Sequence, residues 1–180
     1  MLWRILCSAG CFAAALMAVA QAAGGTSPFL EPGVNPRDTS TNLQLGLELE
    51  RLGNLNRSEA ILLEAAGYDH QYQPAWTLAN YYFRRNQTDQ FWRWSLRAAE
   101  LSYDDGRPLL RLAAAMENDP VALMNHLGRR PVLLRTYLDI LIGQDRKDAA
   151  RQVAAMLSEF HDPADQPRFD ALAKRFEKTK

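Results

Sequence analysis

The residues able to do chemistry are few and widely spaced. His70, His126 and His161 are the three histidines, and none has a second ligand-type residue at metal spacing. The two cysteines, Cys7 and Cys11, lie in an apolar N-terminal stretch. Downstream of them there is no thiolate for a zinc site, a CxxC redox pair or a nucleophile. Asp104 and Asp105 form a carboxylate pair, but "YDDGRP" reads as turn chemistry, and "ENDP" around Asp119 reads as a helix cap. The sequence has no GxSxG, HExxH, P-loop or GxGxxG pattern. This inventory predicts a protein that is not an enzyme, with no catalytic residue, no metal ligand and no cofactor.

Binding chemistry is better represented, and it is concentrated in "PAWTLANYYFRRNQTDQFWRWSLRAAEL", Pro74 to Leu101. At helical spacing, Gln73, Trp76, Asn80, Phe83 and Arg84 share one face. An aromatic floor offers contact area, Asn can hydrogen-bond a bound backbone, and Arg takes a carboxylate bidentately. Tyr82 and Phe91, with Trp92 or Trp94, are assigned to the core. Trp76 and Phe83 have two readings. They pack under the preceding hairpin or the 68–72 segment "YDHQY", or they floor a groove flanked by Asn80 and Arg84. For Arg84 and Arg51 the plainer reading is a solvated helix face pairing with Glu48, Glu50 or Asp89.

The elements that must position these residues are helices. The chain has 180 residues, 47% of them hydrophobic, and a formal charge of zero. That balance gives no case for nucleic acid or an anionic membrane surface. "MLWRILCSAGCFAAALMAVAQAAGG" has one charge, Arg4, before an apolar run, with a small-x-small site ending at Ala22. It predicts a signal peptide over 1–22 and an exported protein, periplasmic or secreted. An uncleaved N-terminal anchor is the alternative, and only then would the chain touch a membrane. Residues 23–40, rich in Pro and Gly, read as a flexible tether. From 41 to 180 no stretch alternates with period two, and apolar residues recur at i, i+3, i+4 and i+7. Nine helices are predicted near 40–53, 57–67, 73–86, 89–103, 108–117, 120–128, 131–143, 146–159 and 163–178. Gly53, Gly67, Gly128 and Gly143 mark helix ends, and Asp119-Pro120 and Asp162-Pro163 mark starts.

Two of the predicted hairpins share a register. Leu45, Gly46, Leu49, Gly53, Ser58, Leu62 and Ala65 recur 33 residues later as Leu78, Ala79, Tyr82, Asn86, Phe91, Ser95 and Ala98. This pattern resembles the tetratricopeptide repeat (TPR). The departures are Asn42 and Ala75 at the family's early Trp position, His70 and Tyr103 at its closing proline, and a small–large order reversed at Phe91 and Ser95. The resemblance implies an all-α, TPR-like solenoid of stacked antiparallel hairpins. Its clearest repeats would be 38–71 and 72–104, followed by degenerate hairpins at 107–129 and 131–159 and a capping helix at 163–178. The 131–159 hairpin has the right shape, but no register restores the motif there. The resemblance also implies a groove lined by first helices, which makes Gln73, Trp76, Asn80, Phe83 and Arg84 the binding candidates, with Arg51 one repeat earlier. The expected function is a non-catalytic scaffold for protein–protein interaction in the cell envelope, holding a peptide segment or helix of a protein partner. The alternative is glycan binding, or an accessory role in envelope polysaccharide assembly, which needs at least two of Trp76, Trp92 and Trp94 exposed on one face.

Overall fold

A computed structural model of the chain describes residues 38–177. The segment predicted as a signal peptide, and most of the predicted tether, lie outside the described residues. Among the described residues there are nine α-helices and no strand. They are α1 (Thr39–Arg51), α2 (Leu55–Tyr68), α3 (Tyr72–Arg84), α4 (Thr88–Leu101), α5 (Arg107–Met116), α6 (Pro120–Leu127), α7 (Pro131–Gly143), α8 (Lys147–Ser158) and α9 (Gln166–Glu177). The last is preceded by a 3-10 turn at Pro163–Asp165. The pairs α1/α2, α3/α4, α5/α6 and α7/α8 pack together. In addition α1 lies on α3, α3 on α5, α5 on α7, α4 on α6, and α6 on α8.

Capping residues fix where these helices begin. Asp38 accepts a hydrogen bond from the Ser40 backbone N–H, Asp119 from those of Val121 and Ala122, and Asp162 from that of Ala164. Each satisfies a donor that the first helical turn leaves without a partner. The predicted stops fare less uniformly. Gly53 and Gly128 have positive φ, whereas Gly143 is the last residue of α7 and Gly67 the last but one of α2, both still helical. After α7 the left-handed position is taken two residues later by Asp145, and α2 ends in extended backbone at Asp69.

Three helix pairs turn in the same way. Gly53, Asn86 and Asp145 are all left-handed. In each turn the next N–H reaches back five residues, Asn54 to Leu49 at 2.9 Å, Gln87 to Tyr82 at 3.0 Å and Arg146 to Leu141 at 3.0 Å. These are helix-closing bonds of the Schellman type. The shared turn supplies a register for the 131–159 hairpin, where the motif alone gave none. Counting from Asp145, Leu138 stands where Gly46 and Ala79 stand, and Ala150 and Ala154 stand where Ser58/Phe91 and Leu62/Ser95 stand.

The packing at these positions explains why the motif blurs. A Cβ on Gly46 would lie 2.5 Å from Leu62 Cδ2, so any larger residue there forces that leucine to shift. The Ser58 hydroxyl donates to the Gly46 carbonyl at 2.7 Å, closing the contact. One pair later Ala79, Phe91 and Ser95 are all fully buried, with the bulk moved to the other helix position. In the 131–159 pair the bulk moves to Leu138 and both facing positions become alanine. Close-packed interiors constrain summed volume more than the identity at any one site.

One apolar core runs through the helices, with Tyr81, Tyr82, Phe91 and Tyr137 its largest fully buried side chains. At the C-terminal end α9 packs on α7 and α8 with Phe176 buried. Ion pairs hold it there. Arg175 is bidentate to Asp145 at 2.7 and 2.9 Å, and Arg168 reaches Asp139 at 3.3 Å. Arg135 grips the buried carboxylate of Asp165 at 2.6 Å and also pairs with Asp162.

Candidate binding face

The region 72–103 sorts its aromatics into covered and uncovered sets. Tyr81, Tyr82, Phe91 and Trp92 are buried. The Tyr81 hydroxyl donates to the Leu55 carbonyl at 3.0 Å, and the Tyr82 hydroxyl to Glu59 at 2.8 Å. Both bonds tie α3 to α2. Trp92 lies flat on the His126 imidazole, with centroids 4.2 Å apart and planes 8° from parallel. His126 in the last turn of α6 therefore has a packing role, joining α4 to α6.

Trp76 and Phe83 are both half-buried and rest against the core. For Trp76 the neighbour is one the sequence proposed, Tyr72 of the 68–72 segment; for Phe83 a ring contact lies with the following helix. Phe83 packs on Phe91 of that helix, centroids 5.8 Å apart. The reason is phase, since α4 follows on the side of α3 where Phe83 points. Trp76 stacks on Tyr72, 6.1 Å away and within 10° of parallel. Tyr72 in turn meets Tyr103 edge-on at 6.1 Å, and Tyr103 is 90% exposed. The three rings form a row, Trp76–Tyr72–Tyr103, leading from α3 to the loop after α4.

The row borders a recess of about 380 Å³ lined by Tyr103, Asp104, Arg130, Val132, Leu133 and their neighbours. Val132 is 51% exposed at its rim. The Asp104 carboxylate accepts from the Ser102 hydroxyl at 2.6 Å and the Gly106 N–H at 2.8 Å, and these bonds, the hydroxyl's first, hold its pKa below the usual 3.8. Arg130 donates to the Ala99 carbonyl at 2.6 Å. Burial pushes the Tyr72 phenol up to about 12, with the Asp104 charge adding to the shift, so it remains a neutral donor at ordinary pH.

The polar candidates already have partners. The Asn80 amide donates to the Trp76 carbonyl at 2.8 Å, leaving its own oxygen to accept. Arg84 is bidentate to Glu50 of α1 at 2.9 and 2.6 Å, and Arg51 is bidentate to Glu48 of its own helix at 2.8 and 2.6 Å. Both guanidiniums thus have the carboxylate partners that the plainer reading anticipated. Gln73 is exposed, and its carbonyl accepts from the Thr77 hydroxyl at 2.9 Å. Sequence reasoning named the segment holding Tyr72 as a packing neighbour but not as part of the site, and it missed Tyr103 and the recess. Tyr72 was within reach, being four residues before Trp76 and therefore on its face; Tyr103 and the recess depend on how the loop after α4 folds back.

The three indoles of this region do not share a face. Trp92 is covered by His126, whereas Trp94 borders a separate recess of about 450 Å³ with His70, Arg93 and Arg97. Trp76 belongs to the tyrosine row. Among the described residues no group of three or more His, Cys, Asp or Glu is placed to hold a metal ion, and no helix is long and apolar enough to cross a membrane. No family model matches the chain, and neither a curated protein nor a solved structure matches it.

Proposed function

We propose that the chain is a short TPR-like stack of helical hairpins that binds an extended segment of a partner protein and performs no chemistry on it. Support for the repeat reading comes from the common turn at Gly53, Asn86 and Asp145 and from the order of helix contacts. The carrying observation for binding is the ring row Trp76–Tyr72–Tyr103, half-buried at its first two rings and exposed at Tyr103, beside a recess. Rings held by one another lose little freedom when a ligand covers them, so they bind at low entropic cost.

In this reading a peptide runs along the rings and lowers one apolar side chain between Tyr103 and Val132. Asn80 accepts from, and Arg130 donates to, its backbone. Arg84 and Arg51 join only if the ligand's carboxylates displace Glu50 and Glu48. The proposed setting is the cell envelope, reached by export through residues 1–22. Glycan binding is the weaker reading, because Trp92 is covered, Trp94 borders the recess with His70, and Trp76 stacks in the tyrosine row.

The test is selection of a displayed peptide library on the full chain and on Tyr103→Ala and Trp76→Ala variants. The proposal expects a shared peptide class on the wild type, weakened on the order of tenfold or more by either substitution. A peptide class that binds both variants as well as the wild type would reject this site.

A further inference from the structure

Arg93, Leu96, Arg97 and Glu100 stand at i, i+3, i+4 and i+7, so they share one face of α4. That face lines the recess of about 450 Å³ at Trp94, together with Ala66 of α2 and His70 just beyond its end. Most of the polar groups there are donors. The Arg93 guanidinium lies 5.9 Å from the centre of the Trp94 ring, and among the described residues it forms no ion pair with a carboxylate. Arg97 meets Glu100 through a single bond at 3.3 Å, with the two side chains 44% and 47% exposed, and pairs of that kind contribute little. Trp94 brings an indole N–H that is buried and has no acceptor, an unfavourable state for a donor. Two arginines against one glutamate leave the recess one net positive charge, before His70 is counted.

We infer that this recess binds a small organic monocarboxylate carrying an apolar ring. Arg93 has the planar fork that takes a carboxylate bidentately, and no protein carboxylate competes for it. The half-buried Trp94 ring and Leu96, 37% exposed, offer the ligand's ring an apolar surface. A single net positive charge suits a monoanion, whereas a dianion such as phosphate sets its second charge against Glu100. The volume is that of a small-molecule site. None of these residues belongs to the ring row or its recess, so the inference stands apart from the peptide reading.

Titration of the full chain with benzoate, followed by nitrogen–proton NMR of the indole groups, tests it, the Trp94 signal being assigned by its loss in Trp94→Phe. That signal should shift saturably, with a Kd on the order of 1 mM. Benzamide, which keeps the ring without the charge, should bind on the order of tenfold more weakly, and so should acetate, which keeps the charge without the ring. Arg93→Gln should weaken benzoate on the order of tenfold. Arg57→Gln, at an exposed position outside the recess, should bind like the wild type. No saturable shift, benzamide or acetate binding as well as benzoate, or full affinity in Arg93→Gln would each overturn the inference. Phosphate moving the Trp94 signal as strongly as benzoate would overturn it too, since that is unselective attraction of anions.

Discussion

Tyr82 and Tyr72 lie on the same helix, ten residues apart, and do opposite things. Tyr82 is fully buried, ties its hydroxyl to Glu59, and is held in place by the preceding pair. Tyr72 belongs to a row that ends in Tyr103, a ring almost wholly exposed. The same contrast separates Phe91 and Trp92 from Trp76 and Tyr103. Residue type therefore says little about role in this region; helical phase and the neighbour that arrives on each side decide it. Core aromatics here stabilise the fold, whereas row aromatics leave surface for a partner.

The contrast can be broken most forcibly at Phe91. Phe91→Ala is expected to cost about 3–5 kcal/mol by urea denaturation, since the ring is fully enclosed between Phe83 and Trp92. Tyr103→Ala should stay within about 0.5 kcal/mol of wild type. Comparable losses would erase the distinction.

Next in size is the close approach at Gly46. Gly46→Val should destabilise by about 1–3 kcal/mol, because its Cβ would overlap Leu62, itself fully buried. Adding Leu62→Ala should recover part of the loss, and simple additivity would show that the two side chains do not compete for one volume.

A pair of serines sharpens the comparison further. Ser58→Ala removes the bond to the Gly46 carbonyl and should cost about 1 kcal/mol. Ser95 is equally buried, but its hydroxyl has no partner. Ser95→Ala should therefore be neutral or stabilising, and a loss matching that of Ser58→Ala would mean Ser95 has an undetected acceptor.

The smallest effect is with acid. Hydrogen bonding to Ser102 lowers the Asp104 pKa, and hydrogen bonding to Arg175 lowers that of Asp145. Carboxylates with depressed folded-state values add stability above the unfolded value near 3.8, and lose it as pH falls through the folded one. Arg175→Gln should make the denaturation midpoint less sensitive to pH below about 4.

Much of this arrangement was legible in the sequence. Helical periodicity and capping residues placed the ends of the first eight helices to within two residues, and that of the last to within three, its start being a 3-10 turn, and the 33-residue register set Gly46 against Leu62. What escaped has physical causes. The 131–159 hairpin hid its register because its bulk sits at Leu138 and its left-handed residue is Asp145, not Gly143. The contact of Phe83 with Phe91 depends on which side of α3 the next helix packs, which the sequence of α3 does not encode locally. The ring row needed the loop carrying Tyr103 to fold back onto α3. No i, i+4 rule reaches across that loop.

The central claim is that the partly exposed row is a surface for a partner, not a loosely packed part of the core. Measuring both properties on one variant tests it most directly: Trp76→Ala combined with Tyr103→Ala, carried through urea denaturation and library-selected peptide binding. The account predicts a fold less stable by no more than about 2 kcal/mol and peptide binding lost. Binding retained at wild-type strength, or a variant that fails to fold while Phe91→Ala survives, would contradict it.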